Sequence, residues 1–157
     1  IAKFGKYNIV PSIQATHATS DMYWADERLG DRIKNAYIYN ELLQQNGWLP
    51  NGTDFPVERI DPLLTFYASV ARMDVVGYPE SGFQTENALS RKETLKSMTI
   101  WAAKAAFEEN EKGSIESGKF ADFIVLDKDI MEVKENEIPL VNVLFTFING
   151  KVVCKKE

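Results

Sequence analysis

The chain has 157 residues, 45% of them apolar, which is enough for one domain with a sizeable core and too apolar for a disordered segment. Its 18 basic and 23 acidic residues give a net charge of −5, and the basic residues are dispersed apart from Lys155-Lys156, so there is no electrostatic footprint for nucleic acid. No apolar run approaches the roughly 20 residues that span a bilayer, and a single cysteine, Cys154, excludes an internal disulfide and a thiolate-rich metal site.

The opening Ile1-Ala2-Lys3-Phe4-Gly5-Lys6-Tyr7 has neither an initiator Met nor a signal-peptide pattern. It reads as the end of a helix entering a strand, and the expectation is a processed or truncated product that starts inside a domain. Localisation is left open, with the cytoplasm as the default. Tyr7 to Gln14, with Ile9, Val10 and Ile13, is expected to form a short buried strand with Pro11 near its exit. Thr16 to Ala25 reads as a polar loop. Asp31 is expected to cap a helix running to about Asn46, with Ile33, Ala36, Tyr37 and Leu43 on one apolar stripe and Gly47 as its stop. Trp48 to Pro50 then lead into a second strand, which makes a βαβ-like unit.

Asp61-Pro62 is a helix start, an N-cap Asp followed by Pro at the first helical position. Leu63, Phe66, Tyr67 and Val70 share one face of that helix. Residues 74–88 read as a long loop. Ser90-Arg91-Lys92-Glu93 is a capping box opening a further helix, with a break near Thr99. Beyond residue 110 the chain turns β-rich. Phe123-Ile124-Val125-Leu126 is a strand, and Asn149-Gly150 between two apolar runs is a strong hairpin signal.

Asp54 stands out among candidate functional residues. It is delivered by the turn-prone Asn51-Gly52-Thr53 and followed by Pro56, which suits an acid held at a strand end as metal ligand and proton shuttle. The competing reading is a turn aspartate that caps the next backbone amides. His17, the only histidine, sits among hydrogen-bonding groups suited to substrate recognition or acid–base work, or else simply bonds a loop carbonyl. Arg72, near a helix C-terminus, suits either a substrate carboxylate or the helix dipole. One histidine and one aspartate fall short of the roughly three protein ligands of a hydrolytic zinc site. Cys154 has no visible activating partner and reads as structural.

Four segments taken together resemble one family. Pro11-Ser12-Ile13-Gln14-Ala15-Thr16-His17-Ala18-Thr19-Ser20-Asp21-Met22 is similar to the penultimate barrel strand of amidohydrolase family 3, a branch of the amidohydrolase superfamily that includes N-substituted formamide deformylase-like proteins. Gly52-Thr53-Asp54-Phe55-Pro56-Val57-Glu58 resembles the family's last barrel strand, which usually has Ser where this chain has Thr53. The stretch from Gly113 to Asp127 resembles the return into a small β-sandwich, and Ile148 to Val153 the hairpin that closes it.

The resemblance implies an α/β fold. Residues 1–110 would be the C-terminal part of a (β/α)₈ TIM barrel, its last two βα units, and residues 111–157 the C-terminal strands of the β-sandwich. It implies a C-terminal fragment of a metal-dependent hydrolase of non-peptide C–N (amide) bonds, acting through a metal-activated water. Asp54 would be both catalytic residue and metal ligand, and His17, Gln14, Asp21 and Arg72 would bind substrate. The cofactor would be a divalent metal, zinc foremost, in the longer protein, with this chain alone expected to bind it poorly or not at all and to be inactive. The partners so implied are a small amide-type substrate and either the N-terminal part of the same protein or a second copy, with no nucleic acid and no membrane. The alternative is a non-catalytic binding or assembly module derived from a partial barrel.

Overall fold

The computed structural model describes residues 1–156. Its elements are α1 (Ala2–Lys6), α2 (Thr16–Leu29), a 3-10 segment (Gly30–Asn35), α3 (Tyr39–Asn46), α4 (Pro62–Ala71), a 3-10 turn (Thr85–Asn87), α5 (Arg91–Met98), α6 (Ile100–Ala105), β1 (Phe123–Leu126), a 3-10 segment (Glu135–Leu140), β2 (Val143–Ile148) and β3 (Lys151–Lys155). Among the described residues no helix is long and apolar enough to cross a membrane.

The expected first strand is reduced to an extended segment. It makes one parallel bridge, Ile13 to Asn51, and the expected second strand likewise pairs only there. Ile9 and Val10 are exposed rather than buried, because no neighbouring segment among the described residues covers them. A strand persists only where a ladder satisfies its backbone groups, and Ile13 is where that happens. Its N–H donates to the Pro50 carbonyl at 3.0 Å, and its own carbonyl accepts from Gly52 N–H at 3.1 Å.

The expected polar loop over Thr16 to Ala25 is instead the first part of α2. Polarity misleads here because small polar residues form the inner face. Thr16, Ala18, Thr19 and Ala25 are buried, and the Thr19 hydroxyl donates to the Thr16 carbonyl at 3.0 Å. Small side chains let this helix lie close against the Ile13 segment and α4. The expected single helix from Asp31 to Asn46 is split. Asp31 makes no side-chain cap, Ala36 is extended, and Tyr37 lies in the left-handed region at φ 57°. That kink brings the Tyr37 hydroxyl onto Asp21, at 2.9 Å. Gly47 then ends α3 in the left-handed conformation, with its N–H on the Leu43 carbonyl.

Local signals downstream hold. Asp61 accepts from Leu63 N–H at 2.9 Å as N-cap of α4. Ser90 and Glu93 complete the reciprocal capping box of α5. The helix breaks at Thr99 (φ −125°, ψ −97°), where its carbonyl chain is interrupted before α6. Asn149 and Gly150 turn at φ 50° and 75°, which matches the twist of the flanking strands and closes the β2–β3 hairpin at Ile148↔Lys151. The sheet is antiparallel throughout in the order β1-β2-β3, and Phe123 stacks on its register partner Phe147 with ring centroids 4.4 Å apart.

Two buried clusters hold these elements. The first gathers Ile13, Ala15, Ala18, Tyr39, Leu43, Leu49, Ala68 and Leu89, so it wraps the two bridged segments in helices. The second joins Phe66, Tyr67 and Ala71 of α4 to Ile138. Arg91 fastens the same region by donating to the Ile130 and Val133 carbonyls at 2.5 and 2.6 Å. An apolar cavity of about 1070 Å³ lies between α5–α6 and β1.

Candidate active site

The Ile13–Asn51 bridge sets two chain exits side by side. His17 leaves one on the first turn of α2, and Asp54 leaves the other on a tight turn. Their side chains converge, with His17 Nε2 lying 3.2 Å from Asp54 Oδ2 and side-chain exposures of 29% and 43%. The approach is close but not aligned as a hydrogen bond, and Nε2 is shut off from water without any other partner. A buried imidazole nitrogen without a hydrogen bond, set against a half-exposed carboxylate, is not a satisfied core contact.

Asp54 is held by its backbone. It adopts φ 56°, a conformation uncommon for residues other than glycine. Its carbonyl accepts from Val57 N–H at 2.8 Å and Glu58 N–H at 3.3 Å. No amide of the turn bonds its carboxylate among the described residues; the amide of Phe55 donates to the Thr53 hydroxyl instead. The turn-capping alternative therefore does not describe this side chain. Glu58, from the same turn, accepts from the Ser20 hydroxyl at 2.5 Å and so ties the Asp54 loop to α2 one helical turn beyond His17.

The other sequence candidates fall around this pair, not in it. The Gln14 carbonyl, just ahead of α2, accepts from the Tyr39 hydroxyl at 3.0 Å and from His17 N–H at 3.2 Å, so its backbone fixes the helix start. Asp21 lies one turn after His17 and is engaged by Tyr37. Burial, then this carboxylate, pushes the Tyr37 hydroxyl up to about 12.

Arg72 is fully buried at the C-cap of α4. Its Nε donates to the Phe83 carbonyl at 2.8 Å and one terminal nitrogen to Gln84 at 3.3 Å. Its guanidinium lies over the rings of Tyr39 and Phe83, at 5.1 and 5.8 Å. Burial lowers its pKa to about 10. The structure brings His17 and Asp54 together but spends Arg72 on the core behind Tyr39.

Sequence reasoning missed three residues. Asn51 has the sequence signature of a turn residue, yet it is buried with both amide atoms bonded. Tyr39 was invisible as the ring between Arg72 and Gln14. Ser20 falls in the stretch that its composition predicts as a polar loop. The signal available was weak: Asn and Tyr among apolar neighbours, which is also how satisfied core residues look.

The sequence model of the amidohydrolase family matches residues 1–154. This chain belongs to the amidohydrolase family. It is similar to the protein LONG AFTER FAR-RED 3 of Arabidopsis thaliana, at 31% identity over 95% of this chain and 25% of that protein. It is 33% identical to the N-substituted formamide deformylase of Arthrobacter pascens over 62% of this chain and 18% of that enzyme. Among solved structures, an uncharacterized metal-dependent hydrolase from Pyrococcus horikoshii OT3 superposes with a TM-score of 0.71 at 31% identity, over 83% of this chain and 26% of that one. The amidohydrolase chain thus spans about a quarter or less of these relatives. Its α/β fold with a three-stranded antiparallel sheet is matched by that metal-dependent hydrolase structure.

Proposed function

We propose that this chain is the C-terminal part of a metal-dependent hydrolase that cleaves non-peptide C–N bonds, amides and formamides, with water. The observation that carries the reading is the His17 Nε2 to Asp54 Oδ2 approach of 3.2 Å at two neighbouring chain exits, in a member of the amidohydrolase family. The paired segments would be the last two strands of a (β/α)₈ barrel, whose active sites lie at strand C-terminal ends. The sheet after residue 110 would belong to a small β-sandwich.

The half-exposed Asp54 carboxylate, bonded by no turn amide among the described residues, fits a divalent cation, zinc foremost, by donor chemistry. No group of three or more metal-binding side chains exists among the described residues. Asp54 would therefore hold the metal with ligands from outside this chain. When bound, the metal would lower the pKa of water and polarise the substrate carbonyl.

Asp54 takes a proton from the attacking water as its oxygen bonds the carbonyl carbon. Asp54 then returns that proton to the nitrogen as the C–N bond breaks, leaving a carboxylic acid and an amine. His17 restrains the Asp54 carboxylate and faces the substrate, with Gln14 and Asp21 on the same rim. Supporting a partner for this chain, Ile9 and Val10 stand 48% and 40% exposed along the bridged segment. The N-terminal part of the same protein would cover them, and without it the chain would self-associate and be inactive.

Asp54→Asn in the longer protein tests the assignment. We expect hydrolysis of a formamide or acyl-amide probe to fall at least ~100-fold while circular dichroism is unchanged. Turnover like the wild type would remove Asp54 from the chemistry. Gel filtration of the chain alone should show concentration-dependent association, and a monomer at every concentration would count against the proposed partner.

A further inference from the structure

We infer that Asn51 is a positioning residue that sets the relation of His17 to Asp54. Ala15 is the N-cap of α2 and its side chain cannot accept a hydrogen bond, and the first amides of a helix lack intrahelical acceptors. Asn51 supplies one from the other segment, its Oδ1 accepting from Ala15 N–H at 3.2 Å. Its Nδ2 donates to Ser69 Oγ at 3.0 Å, and Ser69 Oγ donates to the Thr65 carbonyl at 2.7 Å. Its backbone N–H donates to the Ser97 carbonyl at 3.0 Å.

One buried side chain therefore ties together the start of the His17 helix, the segment leading to Asp54, and α4, while its backbone reaches α5. The amide group is suited to this because it offers an acceptor on one side and a donor on the other. The Ser69 proton is already committed to Thr65, so Ser69 needs a donor facing it. An aspartate at 51 could satisfy Ala15 but could bond Ser69 only by taking the proton that Ser69 gives Thr65, and a leucine could satisfy neither. An ordinary turn asparagine bonds its own local backbone, whereas this one bonds across the fold. Shifting it would alter the angle between the two exits, and a displacement of about 1 Å in a catalytic group costs on the order of 100-fold in rate.

The kinetic part of the test rests on the hydrolase reading above, and the structural part does not. Asn51→Leu, Asn51→Asp and Ser69→Ala are made in the full-length protein, each with crystal structure, thermal unfolding, kcat and KM on a formamide probe. In Asn51→Leu the His17–Asp54 contact is expected to open and kcat to drop about 100-fold with KM little changed. Asn51→Asp should recover about a tenth of wild-type kcat, because it keeps the acceptor for Ala15. An Asn51→Leu structure that retains the contact, or Asn51→Leu with wild-type kcat, overturns the inference. If Asn51→Leu does not fold, Ser69→Ala decides: a displaced Asn51 amide with lower kcat supports the role, and an unmoved site with wild-type kcat overturns it. If the wild type hydrolyses none of the probes, the hydrolase reading fails by itself, and the contact in the variant structures still decides the role of Asn51.

Discussion

His17 Nε2 and Asp54 Oδ2 meet at 3.2 Å across two chain segments joined by the isolated bridge between Ile13 and Asn51. Neither residue is placed by its own local structure alone. His17 depends on where α2 starts, and Asp54 on a left-handed turn anchored through Glu58 to that same helix.

If Asp54 holds the metal as proposed, substitution of His17 by glutamine in the longer protein should lower kcat/KM by about 10- to 100-fold, the usual effect of removing a group that orients a ligand. Metal content, measured by elemental analysis, should stay near that of the wild type, whereas Asp54→Asn should reduce it. Equal metal loss in both variants would make His17 a ligand instead of an orienting group.

Arg72→Leu separates the core role of that residue from substrate binding. Removing the guanidinium leaves the Phe83 carbonyl without its donor, so urea unfolding should show a loss of about 1–3 kcal/mol. KM for an acidic amide substrate should not change. A raised KM at unaltered stability would restore Arg72 to the substrate site. Lysine should rescue poorly, because it cannot lie flat between Tyr39 and Phe83.

Alkaline stability should fall in a defined window. Burial and Asp21 raise the Tyr37 hydroxyl to about 12, above its ordinary 10.0. The folded state therefore holds the proton longer than the unfolded state. This contribution is fully present below about pH 10 and is lost as pH rises through about 12. Tyr23, Tyr39 and Tyr67 are raised too and add the same sign. Urea midpoints between pH 9 and 12 should decline for the wild type and less steeply for Tyr37→Phe; identical slopes would contradict the Tyr37–Asp21 linkage.

Ser90→Ala removes one side of a reciprocal cap on α5 and should cost about 1 kcal/mol in thermal or urea unfolding, with activity per folded molecule unchanged. A change below about 0.3 kcal/mol would mean that solvent replaces the cap.

The amino-acid order carries what short-range chemistry dictates. Asp61-Pro62, the Ser90–Glu93 box, the break at Thr99 and the Asn149-Gly150 hairpin each rest on a few adjacent residues, and each is present. It also marked Asp54 and His17, through residue type and family resemblance. Tertiary structure decided what depends on partners far along the chain. Thr16 to Ala25 became a helix because its small polar face could be buried, and Ile9 and Val10 stayed exposed because no ladder reaches them. Arg72 went into the core because Phe83, Gln84 and Tyr39 receive it there. The buried amide of Asn51, silent as sequence, bonds groups on both sides of the bridge that brings His17 to Asp54. Propensities and caps are local free energies and can be read in order along the chain, but burial and polar satisfaction are settled only when distant segments meet.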